Sequence, residues 1–187
     1  SFPTRRSSDL PIEQLLYLAS TQIDASRTMQ NDDSVIDSLA SLAKKTGFVS
    51  QNFSEATALA LAPLEPFAAY VITQAIQRYG QNERSLFSFL NARGRNSLSE
   101  YEGKIYQLQC CYDYIYYNFY SYLKEANADS MQWSSMQVAI ERVEGQLWET
   151  KTDLVDAIKL VKAIGLLNLF GNASFKMNRE DTALYAK

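Results

Sequence analysis

Residues able to do chemistry are sparse in this chain, and the missing types constrain it most. There is no histidine, which removes the commonest general base, the commonest metal ligand and any histidine-containing triad. Cysteine occurs only as the neighbouring pair Cys110–Cys111. Adjacent cysteines rarely bridge, and two sulfurs without further ligands make no zinc site, so a reduced, cytoplasmic setting is expected. The paired acids Asp32 and Asp33 could serve acid–base or metal chemistry, but they stand at a helix start, where carboxylates satisfy free backbone amides. A phosphate-binding loop needs G-x-x-x-x-G-K-[ST], whose backbone amides and lysine cradle phosphates. Here Gly103-Lys104 is followed by Ile105, residue 98 is leucine, and no apolar strand ends in Asp-Glu to hold magnesium. The expectation is a non-enzyme, with no catalytic residues, no metal site and no cofactor of its own.

The remaining candidates bind rather than react. Arg84 falls in the first turn of a helix that starts just past Gly80. A cation there opposes the positive end of the helix dipole unless an anion compensates. Arg84 could therefore reach a phosphate held by another domain, or form an ordinary ion pair with Glu83, Glu65 or another acid. Tyr112, Tyr114, Tyr116, Tyr117, Tyr120 and Tyr122 crowd one short run. Tyrosines can stack on nucleic-acid bases, but such platforms come with Lys or Arg, and residues 105–123 contain neither. Core packing and subunit contact suit tyrosine better, because it buries much area and keeps a polar tip. Tyr112, Tyr116, Tyr120 and Trp133 are the interface candidates.

These residues must be carried by helices. Apolar residues make up 47% of the chain, which suits a globular fold, and the net charge of −3 opposes broad attraction to nucleic acid or anionic membrane. Residues 1–10, SFPTRRSSDL, read as the in-frame translation of a common sequencing adapter and are set aside as a scar. The natural sequence is expected to start at Pro11, with both true ends outside the chain. Helical periodicity then predicts elements over 11 to about 29, from Val35 to a stop at Gly47, and from a Ser54 cap to Leu61. Further helices are expected from Pro66 to Gly80, over 82–92, and as one aromatic helix over 108–123. The last three run from Trp133 to near Gly145, from about 152 to 170 behind a Thr150/Asp153 cap, and from an Asn178 cap to Ala186. Ser97/Glu100 and Ser99/Glu102 have capping-box spacing. The end of the long helix is apolar nearly all round and should be buried. Residues 175–177 could form one short edge pairing. No stretch reaches the ~18 apolar residues of a membrane span. The polar loop 93–97 is the best subdomain boundary, dividing 11–93 from 94–187.

The run Ala62-Pro63-Leu64-Glu65-Pro66-Phe67 and the run Tyr79-Gly80-Gln81-Asn82-Glu83-Arg84-Ser85-Leu86-Phe87-Ser88-Phe89-Leu90 resemble a segment of large bacterial P-loop ATPases of the AAA and STAND types. Tyr112-Asp113-Tyr114-Ile115 and Val161-Lys162-Ala163-Ile164-Gly165-Leu166-Leu167-Asn168-Leu169-Phe170-Gly171 are similar to the region after the lid in the same proteins. The resemblance implies an all-α chain in which a lid-like bundle over 11–93 precedes a winged-helix-like module over 94–187, cut short before its wing. It also implies a parent protein that uses ATP and Mg, with the missing P-loop domain as partner and another protein as a further one, and a non-catalytic role here that couples nucleotide state to domain or partner contacts. Arg84 would match the lid arginine that senses the terminal phosphate, and Gly80 the turn before it. The sequence departs from the shorter Gly-Asn-Pro-Arg form of that turn. Two other readings stand beside this one: a self-standing helical protein-interaction module, and a DNA-binding winged helix. For the second, the recognition helix over 178–186 offers only Arg179 before Lys187, beside the repelling Glu180 and Asp181, so nucleic acid is not an expected partner, nor is a membrane.

Overall fold

The computed structural model describes residues 11–23, 33–80, 84–92, 94–125 and 127–186, with backbone alone at 84 and 85. Ten α-helices account for the regular structure of the described residues: α1 (Ile12–Gln22), α2 (Asp33–Lys45), α3 (Glu55–Ala60), α4 (Pro66–Tyr79), α5 (Arg84–Asn91), α6 (Leu108–Asn118), α7 (Tyr120–Lys124), α8 (Ser130–Glu144), α9 (Lys151–Phe170) and α10 (Arg179–Tyr185). A 3-10 turn, Leu98–Glu100, lies between α5 and α6. There is no strand among the described residues, so the fold is an all-α helical bundle.

The helix ends follow from their capping chemistry. Ser54 accepts from the Thr57 N–H at 3.0 Å, and Pro66 opens α4 behind the Glu65 carboxylate. Proline is tolerated there because a first-turn N–H has no helical partner. Thr150 with Asp153 and Asn178 with Asp181 each close a full capping box. Gly47 ends α2 in the left-handed region, at φ 71°, where any Cβ costs energy.

Helix α4 is the axis of the bundle: ten of its fourteen residues are buried, and α1, α2, α5, α6 and α9 all pack on it. The core is a single cluster that runs from Leu16 on α1 to Tyr185 on α10 and draws on residues from both sides of position 93. Helices α8 and α9 pair over their length, and Gly165 lets them approach: a Cβ there would lie 2.3 Å from the Met136 sulfur.

Several expected elements differ in detail. α1 stops at Gln22, because Ile23 is already extended at ψ 131°; 24–32, including Asp32, lie outside the described residues. The aromatic run is two helices rather than one. At Phe119 the backbone leaves helical geometry (φ −113°, ψ 16°). The preceding Asn118 amide donates to its own helix at the Tyr114 carbonyl, 2.9 Å away, a local side-chain bond of the kind that competes with helix continuation. Neither serine capping box forms. The Ser97 and Ser99 hydroxyls instead donate back to the Ala92 carbonyl, at 3.3 and 2.6 Å, closing the end of α5. The pairing expected at 175–177 is a single bond, Lys176 N–H to the Thr46 carbonyl at 2.8 Å; among the described residues a ladder-like bridge links Leu64 with Tyr106. The last turns of α9 bury Leu166, Leu167 and Phe170, but Ile164 faces out.

Candidate functional site

The four aromatic interface candidates converge into one cluster. Tyr112 and Tyr116, one turn apart on α6, lie parallel with ring centroids 5.9 Å apart. Trp133 from α8 packs against both, at 5.4 and 6.5 Å. The helix break at Phe119 carries Tyr120 onto α7, edge-on to Tyr116 at 5.4 Å. The cluster runs from the core to the surface: Tyr112 and Trp133 are each 2% exposed and Tyr120 is 45% exposed. Edge-to-face and offset pairs of this kind add about 0.5–1.5 kcal/mol each beyond the area they bury.

Cations do reach this cluster, although the local sequence has none. Lys162 crosses from α9, lies 5.3 Å from the Tyr112 ring centroid and pairs with Asp113 at 2.6 Å. Lys124 lies 5.2 Å from the Tyr120 ring and Arg95 4.7 Å from the Tyr117 ring. Residues 105–123 hold no cation of their own; each of these three arrives from outside that run. Gln137 donates its side-chain amide to the Tyr112 hydroxyl.

Beneath the cluster is a polar knot at the end of α4. Trp133 Nε1 donates to the Tyr79 hydroxyl at 3.0 Å, and that hydroxyl donates to Asp129 Oδ2 at 2.6 Å. Arg78 Nη1 donates to the same oxygen at 2.9 Å while its guanidinium sits 4.8 Å from the Phe170 ring. One carboxylate at the start of α8 thereby holds two residues at the end of α4, and the Arg78 guanidinium carries the contact on to α9. Gly80 follows Tyr79 directly, and its N–H caps α4 at the Ile76 carbonyl, 2.8 Å away. Arg84 is the first residue of α5; its side chain, like 81–83, lies outside the described residues. Glu65, one possible partner for Arg84, is wholly buried and already occupied. Its carboxylate accepts from the Phe67 and Ala68 N–H groups at 2.7 and 2.9 Å and from the Tyr185 hydroxyl at 3.0 Å.

The ionisable groups in and near the cluster are tuned away from reactivity. Burial pushes the phenols of Tyr79 and Tyr112 well above their ordinary range, and that of Tyr114 up to about 12. Burial likewise raises both cysteine thiols, most strongly Cys111, whose Sγ donates to the Ala68 carbonyl. Neither is a ready thiolate nucleophile at neutral pH. No group of three or more His, Cys, Asp or Glu among the described residues could hold a metal ion. A shallow depression on α1 is lined by Glu13, Gln14, Tyr17 and Leu18, all from one helix, so it brings no opposed polar groups together. No described helix is long and apolar enough to cross a membrane.

Tyr79, Asp129 and Glu65 are the residues that spacing alone does not single out. Glu65 carries a signal, since an acid directly before a helix-opening proline is a natural cap; its burial depends on Tyr185, far along the chain. Asp129 sits in a turn and looks like ordinary turn chemistry until Tyr79 arrives. Compared with known proteins, the chain matches no protein family, no curated protein and no solved structure.

Proposed function

We propose that this chain is a non-catalytic helical coupling module, the lid and winged-helix portion of a multidomain P-loop ATPase that works in the cytoplasm. Its task is to convert the nucleotide state of the missing domain into a change at a contact surface. The observation that carries the reading is the direct join between Gly80 and the aromatic cluster. Tyr79, the residue before that turn, is hydrogen-bonded to Trp133 and Asp129, so a displacement of the turn is delivered to the cluster without a flexible link. Arg84 is the residue assigned to the nucleotide's terminal phosphate, and Tyr112, Tyr116, Tyr120 and Trp133 form the contact element. ATP and Mg belong to the parent protein.

The test begins with the gene upstream of Pro11. The proposal expects G-x-x-x-x-G-K-[ST] after an apolar strand, and Arg84→Ala is then expected to leave ATP binding intact while lowering ATP turnover at least tenfold. A start codon close to Pro11 with no such motif, or full turnover in the Arg84→Ala protein, sinks the nucleotide reading.

A second reading is a self-standing protein-interaction module, favoured by the exposed Tyr117, Tyr120 and Met131, the last 78% exposed. The DNA-binding reading has less support: the inner side of α10 is taken up by Tyr185 and Asp181, both buried.

A further inference from the structure

The segment 171–186 leaves α9 and lies across the bundle as an arm. Its attachments are spaced along its length, beginning with the Asn172 amide on the Gly47 carbonyl at 3.3 Å. The Phe175 ring stands edge-on to Phe48 at 5.1 Å. The Lys176 N–H bonds the Thr46 carbonyl, and Asp181 pairs with Lys45 at 2.6 Å. Tyr185, at the end of the seven-residue α10, fills a socket in the core. Its ring meets Phe67 edge-on at 5.3 Å, its hydroxyl accepts from the Leu108 N–H at 3.0 Å, and it donates to Glu65. Most other residues of the arm are exposed. Segments with few buried contacts open locally at a fraction of the global unfolding free energy.

We propose that residues 171–186 form a releasable strap, and that the charge on Glu65 at the floor of the Tyr185 socket governs its release. This is independent of any link to a nucleotide. With the strap closed, the Glu65 carboxyl is sealed from water, and burial pushes its pKa up to about 8. The groups that face it are the Tyr185 hydroxyl and, from α6, the Cys111 thiol, both raised well out of the neutral range by burial. At the outer end of α10, the mutual pairing of Lys45 and Asp181 raises the one and lowers the other, so both stay charged at neutral pH. Departure of Tyr185 opens the socket and lets water reach the carboxylate, returning Glu65 toward the ordinary carboxyl value. A group with a higher pKa in the closed state favours closure at low pH. Closure is therefore fully supported below about pH 4.5, weakens as pH rises, and loses this support above about pH 8. The chain has no histidine, the side chain whose ordinary pKa lies in the middle of that window.

The experiment is limited trypsin cleavage of the intact chain between pH 5.5 and 8.5, with each rate divided by that of an unstructured peptide. Strap cleavage after Lys176 and Arg179 is expected to rise by up to about tenfold per pH unit as far as pH 8 and then level off. Cleavage after Lys159, in the middle of α9, should not follow it. Glu65→Gln should flatten the rise. A flat strap rate, a rise shared with Lys159, or a rise that survives in Glu65→Gln overturns the proposal. If Glu65→Gln does not fold, the comparison of strap with Lys159 in the unaltered chain decides alone.

Discussion

Asp129 anchors the end of α4, because one of its oxygens serves both Tyr79 and Arg78. Asp129→Ala leaves a buried hydroxyl without its acceptor and is expected to cost about 1–3 kcal/mol in urea unfolding. Tyr79→Phe should cost about 1 kcal/mol, and the double variant less than the sum of the two, since both remove the same bond. An additive double variant would show that the hydroxyl and carboxylate act separately. The thiols give a second test at this scale. Cys111 is wholly buried and Cys110 half-buried, so a thiol reagent at pH 7 should label Cys111 only at the rate of unfolding; prompt labelling of both would contradict the burial. The aromatic members of the cluster were legible from composition and spacing. Their polar anchors were not, because Tyr79 and Asp129 stand 50 positions apart and each looks ordinary in its own segment.

At the scale of elements, stop and start signals were the most legible feature of the sequence. Gly47, Ser54, Pro66, Thr150 and Asn178 act where their backbone chemistry places them, because capping is local. The differences arose where a nearby side-chain bond competed with the expected one. Asn118 and Phe119 split the aromatic run, and Ser97 and Ser99 turned back to Ala92 rather than forward to the glutamates. Gly47 also takes part in the strap's path: a Cβ there would come within 2.5 Å of the Ser174 carbonyl oxygen. Gly47→Ala is thus expected to destabilise the chain by roughly 1–2 kcal/mol from backbone strain alone, and to speed cleavage after Lys176 as well. Equal loss at every protease site would mean that the strap is no looser than the bundle. Asn178→Ala removes the cap of α10 and should cost about 1 kcal/mol, read by the same cleavage assay.

For the whole molecule, the all-α class followed from helical periodicity. The polar run at 93–97 reads as a boundary in sequence, yet buried residues on both sides belong to one cluster. The aromatic cluster gives this continuity a direction, from the turn at Gly80 through Tyr79 to Trp133 and outward to Tyr120. Replacing Tyr117 and Tyr120, which are about half exposed, by alanine removes one ring pair and two cation–π contacts and should cost about 1–2 kcal/mol. The same pair of changes should weaken any partner bound at this surface, which a binding titration against that partner would measure.

The central claim is that the nucleotide state of the parent protein reaches this cluster. Trp133 reports on it directly, and there are two tryptophans in the chain, so Trp148→Phe, with any tryptophan outside this chain replaced likewise, leaves Trp133 as the one tryptophan. The decisive measurement is Trp133 emission in the protein carrying the whole reading frame, with and without ATP and Mg. The account predicts a nucleotide-dependent change that disappears in Arg84→Ala and shrinks in Tyr79→Phe. An emission spectrum unmoved by nucleotide, in a protein that demonstrably binds it, would contradict the account.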